Sequence, residues 1–119
     1  MMVYSRQKIE DDDIKAVIEA LKSDMLTCGN RVVDFESALC ELTGAKFAVA
    51  MNSATSALHA AYIALGVGSG DEVITTPITF AATANAAIMC GARIKFADVL
   101  LNGNINPASI KELISDKTK

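Results

Sequence analysis

The chain has 119 residues, 51% hydrophobic and 21% charged, with a formal net charge of −3. This composition supports one packed domain and excludes a disordered chain, and it lacks the basic stripe that a nucleic-acid partner requires. The start of the chain has no apolar signal core. The apolar stretch over 47–65 is broken by Asn52, Ser53, Thr55, Ser56 and His59, so the expectation is no membrane span and a cytoplasmic protein.

The elements follow in chain order. Glu10, Asp11, Asp12 and Asp13 put negative charge where a helix N-terminus is positive. Ile14, Val17, Ile18 and Leu21 then recur at helical spacing, which predicts a first helix ending near Ser23 and Asp24. The loop over 26–30 contains Gly29 and Asn30, both suited to positive φ. A second helix is predicted over 32–43, burying Val32, Phe35, Leu39 and Leu42 and stopping at Gly44.

Three strand–helix alternations are predicted next: strands over 46–51, 72–76 and 93–99, with helices over 55–65 and 80–89 between them. Pro107 opens a last helix with Ile110, Leu113 and Ile114 on its apolar face. The order βαβαβα implies an α/β fold in three αβα layers with parallel strands, the whole of 1–119 forming one such piece after two N-terminal helices.

Several motifs are better read as structure than as chemistry. The run Gly66-Val67-Gly68-Ser69-Gly70 follows a helix and precedes a strand, the reverse of a dinucleotide fingerprint, and reads as a turn. His59, the single histidine, has no carboxylate or nucleophile placed beside it by spacing. Cys28, Cys40 and Cys90 are odd in number and widely spaced, which fits free thiols rather than a disulfide framework or a metal site.

The bend Asn52-Ser53-Ala54-Thr55-Ser56 carries more. A strand feeding a helix through small polar residues leaves backbone N–H groups aimed at one spot, at the positive end of the helix dipole. Ser53, Thr55 and Ser56 add hydroxyls, while Ala54 and Ala57 let a ligand approach the backbone. Phe80 follows the next strand and is flanked by small residues, so a planar ring can lie against it. Taken alone, Phe80 reads as a core residue. Together, an anion cradle and a flat apolar wall suit a phosphorylated aromatic cofactor such as pyridoxal phosphate.

The residues carrying this pattern are Thr27-Cys28-Gly29, Asn52-Ser53-Ala54-Thr55-Ser56-Ala57-Leu58, Gly70-Asp71-Glu72-Val73-Ile74, Pro77-Ile78-Thr79-Phe80-Ala81-Ala82-Thr83-Ala84-Asn85 and Phe96-Ala97-Asp98-Val99. In order and wording they resemble the DegT/DnrJ/StrS family of pyridoxal-phosphate-dependent nucleotide-sugar aminotransferases. The resemblance spans essentially the whole chain and implies the N-terminal part of a fold-type-I large domain. It implies that Ala54, Thr55 and Ser56 hold the cofactor phosphate and that Phe80 stacks on the cofactor ring. Tyr4, Thr27 and Gly29 match a segment bordering the substrate pocket.

Within the family, the wording over 52–58 and 75–86 resembles members that aminate C4 of a UDP-linked 4-keto-6-deoxy-N-acetyl-hexosamine, with glutamate as amino donor. The resemblance further implies a homodimeric full-length enzyme. None of the eight lysines (Lys8, Lys15, Lys22, Lys46, Lys95, Lys111, Lys117 and Lys119) has the sequence context of the family's cofactor-linking lysine, and no catalytic residue is assigned. The expectation is therefore a chain that binds but does not transaminate alone. Two alternatives stay open: a non-catalytic phosphate-binding module or part of a split assembly, and a sugar dehydratase of the same family.

Overall fold

The computed structural model describes residues 5–27 and 29–119; Tyr4 and Cys28 lie outside them. The chain divides into two compact units, Met1–Ala50 and Met51–Lys119.

The first unit carries two helices. Helix α1 spans Asp11–Leu21, where the main-chain N–H of Glu10 donates to Asp13 Oδ2 at 2.8 Å, closing the first turn. Ser23 Oγ donates to the Ala20 carbonyl at 2.7 Å and finishes the helix. Helix α2 spans Asn30–Thr43, starting earlier than predicted because Asn30 is its first residue and Gly29 its N-cap at φ −72. Gly29 does not use its freedom for positive φ. At the other end Gly44 does take the left-handed conformation, φ 72, and its N–H donates to the Cys40 carbonyl at 2.9 Å.

Two further expectations for this unit are corrected. Neither helix buries a residue: Val32 and Phe35 are exposed, and Leu42 is 84% exposed. Periodicity marks which face is apolar, whereas burial needs a second surface to cover that face. Likewise 46–51 forms no strand ladder, and Phe47 is 77% exposed. A strand exists only where a neighbour takes its N–H and C=O groups. Here the Ala50 N–H goes instead to Glu36 Oε1, at 2.8 Å.

The second unit is α/β. Helix α3 spans Ala54–Ala64, strand β1 Glu72–Thr75, helix α4 Ala82–Met89, strand β2 Arg93–Phe96 and helix α5 Pro107–Leu113. The strands pair in parallel, with Glu72 opposite Arg93 and Thr75 opposite Phe96. That pairing around α4 is the βαβ unit that the alternation implies. The glycine-rich run is a turn, held by the Gly68 N–H donating to Asp71 Oδ2 at 2.9 Å.

The interior of this unit is made of small groups. Val67, Ala82, Ala86, Ala87, Ala92 and Ala97 are buried, and among the described residues no large side chain is fully so. Alanines on α4 let α3 and the strands come close to its backbone. Tyr62, Val73, Cys90 and Ile94 close over the Val67–Ala87–Ala92 cluster.

At the end of α5 the chain turns back to β1. The Glu72 N–H donates to the Lys117 carbonyl at 2.8 Å, and the Lys119 N–H donates to the Glu72 carbonyl at 2.9 Å. Glu72 and Thr118 thereby form a parallel bridge on the edge of β1 opposite β2.

Candidate cofactor site

Helix α3 begins at the predicted bend. Ser53 is its N-cap with extended backbone, φ −160, and its hydroxyl oxygen accepts the Ser56 N–H at 3.1 Å. Its carbonyl accepts the Ala57 N–H at 3.1 Å. Serine suits this place because its short hydroxyl satisfies one of the helix's orphan donors. The first helical residues, Ala54 and Thr55, come too early for intrahelical partners, and among the described residues their N–H groups meet no acceptor. Asn52, Ser53, Ala54 and Thr55 are all exposed. The bend therefore lies open, with two amides free at the positive end of α3.

Ser56 differs from its neighbours. Its N–H is taken by Ser53, and its hydroxyl donates to Asn52 Oδ1 at 2.8 Å while lying 3.0 Å from the Ser53 hydroxyl. The serine cluster thus orders the bend as well as facing it. Ala54 and Thr55 keep their main-chain donors available, and Thr55 is exposed.

Phe80 lies in the turn between β1 and α4, two residues before the helix rather than opening it as predicted over 80–89. It is 80% exposed, so its ring is not a core group. The turn is well determined by bonds around Thr83. The Thr83 N–H donates to the Phe80 carbonyl at 3.0 Å, and the Thr79 and Thr83 hydroxyls are 3.1 Å apart. Pro77, between strand and turn, cannot extend the ladder.

Both predicted parts of the site lie in the second unit. Helices α3 and α4 pack on each other, and the Tyr62 hydroxyl of α3 donates to the Thr83 carbonyl of α4 at 3.3 Å. Sequence reasoning missed Tyr62. Its signal is a polar-tipped aromatic in an alanine-rich helix, where a part-buried ring brings a hydroxyl that favours a partner.

The predicted substrate residues Thr27 and Gly29 lie in the first unit, and Tyr4 falls outside the described residues. Thr27 is exposed. Gly29 lines an open cleft of about 840 Å³ together with Leu21, Met25, Leu26 and Arg31. A Cβ at Gly29 would fall 2.5 Å from the Met25 carbonyl oxygen, so the close approach of the backbone there requires glycine.

The residues present fit pyridoxal phosphate in chemical kind: free amides and a hydroxyl at a helix N-terminus for the phosphate, and an exposed aromatic ring for the heterocycle. Residues 7–119 match the DegT/DnrJ/EryC1/StrS aminotransferase family. The chain belongs to that family, and its fold is that of the N-terminal part of pyridoxal-phosphate-dependent aminotransferases.

Among its relatives is UDP-4-amino-4,6-dideoxy-N-acetyl-beta-L-altrosamine transaminase of Campylobacter jejuni, 52% identical over 111 residues, a match covering 93% of this chain and 29% of that protein. Among solved structures it is similar to PseC of Helicobacter pylori, an aminotransferase involved in the biosynthesis of pseudoaminic acid. There the TM-score is 0.92 at 44% identity, covering 98% of this chain and 32% of that one. Spr1654 of Streptococcus pneumoniae, a proposed sugar aminotransferase solved in its PLP form, matches with a TM-score of 0.93 at 29% identity over 99% of this chain and 30% of that one. The chain thus spans about a third of the length of these relatives.

Proposed function

We propose that this chain is the phosphate- and ring-binding part of a pyridoxal-phosphate-dependent nucleotide-sugar aminotransferase. The observation that carries the reading is the open start of α3, with the Ala54 and Thr55 amides unpartnered, in the same unit as the exposed Phe80. Pyridoxal phosphate, when bound, supplies the electron sink through which an amino group moves between donor and acceptor. The chain's own contribution is placement. Ala54 and Thr55 bind the phosphate through N–H groups, Thr55 adds its hydroxyl, and Ser56 joins by turning its hydroxyl away from Asn52. Phe80 offers one face to the ring and keeps water off that side.

The substrate proposed for the whole enzyme is a UDP-linked 4-keto-6-deoxy-N-acetyl-hexosamine, aminated at C4 with glutamate as donor, on the pathway to pseudaminic acid. The names of the relatives above support it. The same reading makes the enzyme a cytoplasmic homodimer, with Tyr4, Thr27 and Gly29 bordering the sugar site. The transaminase names favour this reading over the dehydratase one. The open bend alone leaves a non-catalytic binding module as the second reading, since it requires no lysine.

The test is a titration of isotope-labelled chain followed by NMR. Pyridoxal phosphate is expected to shift the Ala54 and Thr55 amides and the Phe80 ring together, whereas inorganic phosphate shifts the amides alone. No response at Ala54 and Thr55 with millimolar ligand overturns the proposal.

A further inference from the structure

Tyr62 lies two turns along α3 from Ala54. Its ring packs against the cluster of Val67, Ala87 and Ala92, so the core holds it in place. A long helical side chain leans toward its helix's N-terminus, which brings the Tyr62 hydroxyl toward the anion end of α3. The hydroxyl donates to the Thr83 carbonyl at 3.3 Å. Thr83 is fixed through two other groups as well: its N–H meets the Phe80 carbonyl at 3.0 Å, and its hydroxyl lies 3.1 Å from that of Thr79. One residue thus ties the helix that starts at the phosphate bend to the turn that presents Phe80.

We propose that Tyr62 is a positioning residue of the cofactor site: through Thr83 it sets where the Phe80 ring stands relative to the N-terminus of α3. This rests on the cofactor reading above. A phosphorylated ring is a rigid ligand, so the distance between its two anchors has to be held, and a loosened anchor wastes the contact it could make. The bonds around Thr83 fix the Thr79–Phe80 turn on α4, and alanine packing brings α3 and α4 close, but packing alone is not directional. The tyrosine hydroxyl supplies the directional bond that packing lacks. Phenylalanine would fill the same volume without it.

The experiment compares the unaltered chain with Tyr62→Phe, using inorganic phosphate and pyridoxal phosphate as probes and NMR as readout. In the variant, phosphate affinity at the Ala54 and Thr55 amides is expected to stay unchanged, which also shows that α3 is folded. Pyridoxal phosphate affinity is expected to fall about three- to tenfold, the effect of one lost hydrogen bond. The ligand-induced shift of the Phe80 ring is expected to shrink with it. Equal affinity of both chains for pyridoxal phosphate overturns the inference, and so does a variant that loses phosphate as well, because that marks a role in folding. If the unaltered chain binds neither probe, the cofactor reading itself falls, an outcome separate from the other two.

Discussion

Lys95 on β2 reaches across the parallel pair to Glu72 on β1, placing Nζ 2.6 Å from Oε2. The same carboxylate oxygen accepts the Ser115 hydroxyl at 2.5 Å, and Lys95 Nζ also donates to the Leu113 carbonyl at 3.0 Å. With the main-chain bonds of Glu72 to Lys117 and Lys119, this makes one residue the meeting point of both strands and the segment after α5. The Glu72 side chain is 13% exposed and that of Lys95 30%, so the pair is half-buried.

This clasp is expected to open in acid. The hydrogen bond from Lys95, then that from Ser115, hold the Glu72 carboxyl below its ordinary value. A carboxylate depressed in the folded state stabilises fully above its unfolded pKa of about 4.3, and the contribution is lost as pH falls through the lower, folded value. Amide exchange at Lys119, whose N–H bonds the Glu72 carbonyl, is therefore expected to lose protection in that acid window before the β1–β2 ladder does. Glu72→Gln should remove the pH dependence; a variant that keeps it places the titration elsewhere.

Gly91 ends α4 at φ 89, and a Cβ there would lie 3.4 Å from the Ser69 nitrogen. Gly91→Ala is expected to cost about 1–2 kcal/mol, chiefly from the left-handed backbone. A lower urea midpoint with an unchanged slope checks it.

Removal of the Ser53 hydroxyl separates capping from anion binding. Ser53→Ala is expected to lower stability by about 1 kcal/mol, the usual value of an N-cap. It also frees the Ser56 N–H that Ser53 holds. Phosphate affinity is thus expected to stay level or rise, and a large fall measured by titration would show that the Ser53 hydroxyl itself grips the anion.

Phe80→Ala should leave thermal stability unchanged, because the ring is exposed. Affinity for pyridoxal phosphate is expected to drop about two- to tenfold, the range of one aromatic contact, with inorganic phosphate unaffected. Equal loss for both ligands would mean that Phe80 shapes the bend rather than facing the ring.

Borohydride treatment in the presence of pyridoxal phosphate tests the lysine assignment. The eight lysines of this chain are expected to give scattered, substoichiometric labelling by mass spectrometry. One lysine labelled stoichiometrically would make that lysine the cofactor's covalent partner.

Local chemistry made much of this readable from sequence. Ser53 before a run of alanines and leucines announces the start of α3, and the alternation around Glu72 and Arg93 announces a parallel pair. Gly44 and the glycine-rich turn stop their helices because their preferences are local. The misreadings concern partners. Residues 46–51 have the apolar pattern of a strand, but a ladder is a property of two segments. Val32, Phe35 and Leu42 show an apolar helix face, but burial depends on what lies against it. Tyr62 escaped notice because its bond to Thr83 crosses from one helix to another, and no spacing rule reports that.

The alanines of α4 have one more consequence. Ala86 and Ala87 are wholly enclosed, yet each contributes a single methyl group. Trimming side chains, the usual way to probe an interior, has almost nothing to remove here. Enlargement is the informative direction: a valine or leucine at Ala87 must crowd Val67 and Ala92 and the side chains that close over them. Larger side chains are thereby tolerated only on the outside of this region, and the short spacing between the helices becomes a fixed dimension on which a site can be built.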